Sequence, residues 1–291
     1  MNGRNEAVVA GVARTWAPLV DHVIGLAADE AAFRGLPLVL LHAQEWPHGV
    51  SEHTDPSHPA HLWSRHFLAR GRMLLSQARD VAKARHPALE VSTELAAGRP
   101  THVLREAADD AALLVLGART FTSLADSVAG GSTARSLVGH LPCPVALVPE
   151  PSADTPQDAP VVVGVDGSPA SRAAVELAFF EAAAARVGLA AVEVRPPREA
   201  GAPEFLDTSL LEMSEILAGC GQEYPDTKVS HEVLTGEAAY MLTAAARHAR
   251  CLVVGSRGRG GFRGMLLGST SRSLVHTTHC PLLIAAPVRT R

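Results

Sequence analysis

Two open, doubly wound α/β domains in tandem, each on a parallel five-stranded sheet, are what this sequence predicts. Three observations carry that prediction. The chain has 291 residues, which at about 100–200 residues per domain suggests two domains. The segment Gly131–Pro144 returns as Gly268–Pro281, identical at most positions at an offset of 137, while Gly98 and Gly117 return as Gly236 and Gly255. Within each copy, short apolar runs alternate with longer helix-forming stretches, the pattern of βαβ units and hence of a parallel sheet with helices on both faces.

The elements follow in order. Each copy opens on a continuous apolar run, Val8–Val12 and Val161–Val165, as expected of a strand buried on both faces. In the second copy Ser168 has the chemistry of an N-cap and Pro169 that of a first helical residue. A helix should then run from Ala170 to about Val187 and stop at Gly188, where glycine suits a C-cap. A second strand ends at Val194, a helix covers about Leu206–Cys220, and a short strand Lys228–Val233 precedes Gly236. Glu237–Ala249 reads as helix, Cys251–Val254 as the fourth strand, Thr270–His276 as the start of another helix and Leu282–Ala286 as the closing strand. With a flavodoxin-like strand order 2-1-3-4-5, and the fourth strand beside the first, Asp166 and Gly255 would face one cleft. The expected domains are residues 1–149 and 161–291, joined by a Pro-rich linker at 150–160. The first copy is about thirteen residues longer, and its extra length falls in the polar stretch His48–His66.

Composition narrows the function. Lys and Arg number 26 against 30 Asp and Glu, a net charge of -4, and aromatics are 4% of the chain. That balance argues against a dedicated nucleic-acid binder, which needs a basic face and stacking platforms. No apolar run approaches the 18 residues of a membrane span, and no convincing signal peptide precedes Val8. The expected location is cytoplasmic, with neither nucleic acid nor membrane as partner. Cys143, Cys220, Cys251 and Cys280 form no CxxC pair, so they read as reduced thiols, with Cys143 and Cys280 buried.

The chemistry concentrates in the turn leaving the fourth strand of the second copy, Gly255-Ser-Arg-Gly-Arg-Gly-Gly-Phe-Arg-Gly-Met-Leu-Leu-Gly-Ser269. Glycines let the backbone approach a ligand closely, and consecutive N–H groups in such a loop form an anion-binding nest. Gly268 and Ser269 then open a helix whose N-terminus favours phosphate, with Arg257, Arg259 and Arg263 beside it. No Gly-Lys-Ser/Thr follows, so this is not a Walker loop, and Arg263 breaks the dinucleotide fingerprint.

The spacing of Gly255, Gly258, Gly268 and Ser269 matches Gly-x2-Gly-x9-Gly-Ser/Thr, and Val-Asp-Gly-Ser at 165–168 and Cys-Pro at 280–281 accompany it. In these motifs the chain resembles the universal stress protein family, over nearly its whole length and as two copies. The resemblance implies a flavodoxin-like (Rossmann-like) fold, and ATP, with magnesium, in members that keep the glycine pattern. It implies that Gly164, Val165 and Asp166 line the adenosine side and that Val194 offers its backbone to the adenine. Val254 and Gly255 would meet the ribose, while Arg257, Gly258, Gly268, Ser269, Thr270 and Ser271 would hold the phosphates. It also implies pairing through the last strands, near Val145–Val148 and Leu282–Ala286, within one chain or in a homodimer.

The first copy departs from the pattern. Ala13 stands where Asp166 does, Ala43 where Val194 does, Thr120 at the second glycine, and Asp126 adds negative charge to the loop. It is expected to bind ATP weakly or not at all. His42, His48, His53, His58, His61 and His66 cluster without a carboxylate or cysteine to complete a metal motif, and read as a solvated polar stretch. Glu212, Glu215, Glu223 and Asp226 read as solvated charges. No nucleophile emerges, because no Gly-x-Ser-x-Gly elbow frames any serine, and no catalytic residue or metal ligand is assigned. The expected function is an ATP-binding stress-response regulator, the nucleotide setting conformation or association. The alternatives are a slow ATPase of the adenine-nucleotide α-hydrolase-like group and a nucleotide-free interaction module.

Overall fold

A computed structural model of the chain describes residues 6–13, 17–46, 58, 61–118, 133–150, 155–197, 214–258 and 267–286. Its backbone divides into two compact units, Met1–Gly117 and Ala118–Arg291.

The first unit runs β1 (Ala7–Gly11), α1 (Ala17–Arg34), β2 (Leu38–Gln44), α2 (His61–Arg85), β3 (Val91–Ala97), α3 (Pro100–Ala108) and β4 (Ala111–Gly117). Its strands are parallel in the order β3-β2-β1-β4. On α1 the small Ala27, Ala28 and Ala31 are fully buried beside Val23 and Ile24, which lets the helix axis lie close to the sheet. Gly71 gives α2 the same closeness: a Cβ there would meet Leu95 Cδ1 at 2.7 Å and Gln44 Oε1 at 2.8 Å. Where α1 and α2 meet, the Asp29 carboxylate accepts from Arg85 Nε at 2.6 Å and Nη2 at 2.5 Å, and its Oδ1 pairs with His86 Nε2 at 2.7 Å.

The second unit contains α4 (Thr133–Leu137), β5 (Val145–Val148), β6 (Val161–Val165), α5 (Pro169–Ala185), β7 (Leu189–Arg195) and β8 (Val229–Thr235). It continues with α6 (Ala238–Ala245), β9 (Cys251–Val254), α7 (Ser269–Thr277) and β10 (Leu282–Ile284). Residues 214–223, between β7 and β8, are also helical. The strand order is β5-β10-β9-β6-β7-β8. Every described pair is parallel except β5 with β10, which are antiparallel with Leu282 opposite Leu147 and Ile284 opposite Val145.

The α/β class and the parallel sheets agree with the sequence. Each copy supplies five strands, β1–β5 and β6–β10, and the last strand of the first copy, β5, falls in the second unit. One detail differs. The order within a copy is 3-2-1-4, not 2-1-3-4: the third strand sits outside the second. Polarity explains this. A strand placed between the first and fourth would be buried on both faces and need an apolar run. Ser92, Thr93 and Glu94 of β3 are exposed, as are all residues of β8 but Leu234, which suits only an edge.

Helix ends shift slightly. Ser168 caps α5 and Pro169 opens it, as expected, but the left-handed C-cap falls on Arg186 (φ 56°), two residues before Gly188. In the first copy the equivalent position is held by Gly35 (φ 62°). All four cysteines are free thiols; Cys143, Cys251 and Cys280 are buried. Burial pushes the Cys280 thiol up to about 12.

Candidate functional site

The site is built where β6 and β9, adjacent and parallel, end side by side. After β6 the chain turns through Asp166-Gly167-Ser168. Gly167 takes φ 73°, a conformation other residues adopt only at a cost. Asp166 Oδ1 accepts the Ser168 N–H at 3.0 Å, closing an Asx turn. Ser168 Oγ accepts the Ser171 N–H at 3.1 Å as the cap of α5 and donates to the Arg257 carbonyl at 3.3 Å. Ser171 Oγ in turn accepts the Asp166 N–H at 3.2 Å. The turn after β6 is therefore tied directly to the turn after β9.

The second turn is held as tightly. A Cβ at Gly255 would lie 2.7 Å from the Ala170 carbonyl carbon, so only glycine lets the first turn of α5 rest on that backbone. Ser271 Oγ donates to the Gly255 carbonyl at 2.8 Å, and the Gly268 N–H donates to the Ser256 carbonyl at 2.9 Å. These bonds hold the N-terminus of α7 over the end of β9. At Gly258 a Cβ would collide with Asp166 Oδ2, so the loop passes against the carboxylate itself. At Gly268 the nearest atom to an added Cβ would be Arg257 Cα, at an ordinary 3.5 Å. That glycine serves as the N-cap of α7, with no side-chain cap bond, rather than as a steric necessity.

Asp166, Gly255, Arg257, Gly258, Gly268 and Ser271 are thus brought together. Ser269 is exposed and Thr270 half-buried in the first turn of α7, where helix N–H groups lack intrahelical partners. Val165 and Val254 are 4% exposed, so their side chains belong to the core, and the Val254 carbonyl already accepts the Ala285 N–H at 2.9 Å. Gly164 faces α6: a Cβ there would lie 3.0 Å from Leu242 Cδ1. Val194 lies one strand further out, a step past the Val165–Glu193 pair. Arg259 and Arg263 fall outside the described residues.

Two features were not assigned from sequence. Ser256 is 1% exposed and its Oγ has no hydrogen-bond partner among the described residues. The bridging role of Ser168 was hidden behind its capping role; both belong to the motif Val165–Ser168, which was the available signal.

The corresponding end of the first copy is different chemistry. By strand register His42 takes the place of Glu193 and Gln44 that of Arg195. His42 is buried, with Nδ1 2.7 Å from the Val12 carbonyl oxygen, and Gln44 Nε2 donates to the Phe67 carbonyl at 2.8 Å. Ala13 supplies no carboxylate. Thr120, Asp126, His48 and His53 lie outside the described residues, and among the described ones no group of three His, Cys, Asp or Glu is placed to hold a metal. His61 and His66 belong to α2.

The universal stress protein family model matches residues 18–149 and again 159–286. The chain belongs to this family. As a tandem universal stress protein it is 35% identical over 274 residues to one from Mycobacterium tuberculosis, covering 89% of this chain and 90% of that one. A universal stress protein of Mycolicibacterium smegmatis is 33% identical over 92% of this chain and 93% of its own. A crystal structure of a universal stress protein from Archaeoglobus fulgidus superposes with a TM-score of 0.70 over 96% of both chains at 17% identity, which shows the shared fold. No described helix of this universal stress protein is long and apolar enough to cross a membrane.

Proposed function

We propose that this universal stress protein binds ATP in its second copy and uses it as a ligand that sets conformation or association. The observation that carries the reading is the close approach at Gly258, where the backbone passes against the Asp166 carboxylate beside the N-terminus of a nine-residue helix. The residues suit a triphosphate. Loop and helix N–H groups would take phosphate oxygens, exposed Arg257 and Arg272 add positive charge, and the orphaned Ser256 Oγ is a further donor beneath the loop. Asp166 and the backbone at Val194 would take the nucleoside. Magnesium would be carried by the phosphates, with Asp166 the nearest carboxylate the turn offers.

The first copy lacks the carboxylate and fills the end of β1 with His42, which supports a single nucleotide per chain. The antiparallel β5–β10 pair supports pairing of the two copies within one molecule, and a cytoplasmic, stress-linked role follows the family. Hydrolysis is expected to be slow or absent, since Asp166 stands without a second carboxylate in the described crevice. Calorimetric titration with ATP tests the reading: micromolar affinity, about −8 kcal/mol, is the expected result, and no heat up to millimolar ATP removes it. Phosphate release followed over hours separates a binder from an ATPase.

A further inference from the structure

The helix α2 carries six basic side chains against one acidic, Asp80, in a chain whose net charge is -4. Arg65, Arg72 and Arg79 recur every seven residues, so they share one ridge with about 10 Å between neighbours. All three are exposed, the small Ala69 and Ser76 lie between them, and none has an ion-pair partner among the described residues. Beside the ridge Met73 is 59% exposed. This ridge is cationic, with an uncovered apolar side chain beside it.

The equivalent connection in the second copy, also from second to third strand, has the opposite charge. From Glu199 to Asp226 the sequence holds seven carboxylates and no Lys or Arg. Of these, Glu215 and Glu223 on the helical residues 214–223, and Asp226 just after, are described and exposed. The Cys220 thiol on the same helix is pushed up first by burial, then by the charges of Glu176 and Glu223, with Arg172 opposing them. In the edge strand β8 that follows, Val229 and Val233 are 41% and 38% exposed.

We propose that the Arg65–Arg72–Arg79 face of α2 docks on the acidic helix 214–223 of a second copy of this chain. Charge complementarity selects that occupant. The matching surface is present in every molecule at equal concentration. Met73 supplies an exposed apolar side chain on one side, and apolar contacts within a charged rim are the anatomy of specific interfaces. The interface does not depend on nucleotide.

The test is sedimentation velocity of the full chain without nucleotide, at about 50 mM and about 500 mM NaCl, where screening lengths differ roughly threefold. Wild-type protein is expected to self-associate at low salt and to weaken by at least about tenfold at high salt. R65E/R72E/R79E and, separately, E215K/E223K should be monomeric while retaining wild-type circular dichroism. An equimolar mixture of the two should associate again, because each then offers the complement of the other. Should the triple reversal unfold, R65Q/R72Q/R79Q gives the same reading. A wild-type monomer at low salt, association indifferent to salt or to the variants, or folded variants that fail to rescue each other would overturn the proposal. So would binding of a DNA duplex that needs the three arginines in a chain that never self-associates.

Discussion

A methyl group added at Gly258 would meet the Asp166 carboxylate, so a larger side chain there displaces the one acidic group of the turn. Gly258→Val is expected to weaken ATP binding by at least about 100-fold, ~2.7 kcal/mol, measured by calorimetry, while Thr120→Val in the first copy leaves it unchanged. Equal loss in both variants contradicts the asymmetry. Elsewhere, single residues set the acid stability of the first unit. Burial, then the charge of Arg85, lowers His22 below 6.5. Burial raises the Asp29 carboxyl, but the hydrogen bonds and charges of Arg85 and His86 outweigh it and hold the group below 3.8. Both lowered groups contribute stability that is present above the unfolded values and drains as pH falls, the His22 share below 6.5 and the Asp29 share below 3.8. Melting temperature should therefore drop from pH 7.5 to 5, and His22→Gln should flatten that drop; a melting temperature that rises on acidification contradicts the assignment. Asp29→Asn, which leaves Arg85 without its ionised acceptor, should cost about 1–3 kcal/mol in denaturant unfolding. The Asp29–Arg85–His86 contact was illegible in the sequence because its partners lie 56 and 57 residues apart and only packing of α1 on α2 joins them.

At the scale of elements, the motif Val165–Ser168 and the residues Gly255–Gly258 named their own places: a capped helix start and a turn at the end of a strand. Spacing also gave the adjacency of Asp166 and Gly255 once the fourth strand lay beside the first. The position of the third strand was legible too, in the polarity of β3 and β8, which suits only the edge of a sheet. The end of α5 was not legible, since Gly188 is the residue that left-handed geometry favours and Arg186 adopts it instead. Arg186→Gly should accordingly stabilise the second unit by up to about 1 kcal/mol in chemical denaturation; destabilisation would mean that the exposed side chain has a role beyond the cap. On β7, Arg195 Nε donates to Glu193 Oε1 at 2.9 Å with both side chains at least 90% buried. Arg195→Gln alone should cost about 3–5 kcal/mol, because it removes the cationic half of a buried ion pair. E193H/R195Q, which writes the first copy's pair onto β7, should recover most of that loss.

For the whole molecule, duplication explains why both copies share one strand order, while the carboxylate of Asp166 and the spacing of Gly255, Gly258, Gly268 and Ser269 occur in the second copy alone. Repeat and glycine spacing were plain in the sequence because they are local patterns. The exchange of Glu193 and Arg195 for His42 and Gln44, and the opposed charges of the two crossover helices, appear only when strand register aligns the copies. The central claim is that the second copy alone holds nucleotide. Its most direct test is the stoichiometry of ATP binding by full-length protein in calorimetry: one site per chain in the wild type and in Thr120→Val, and none in Gly258→Val. Two sites per chain, or one site that survives Gly258→Val, would contradict it.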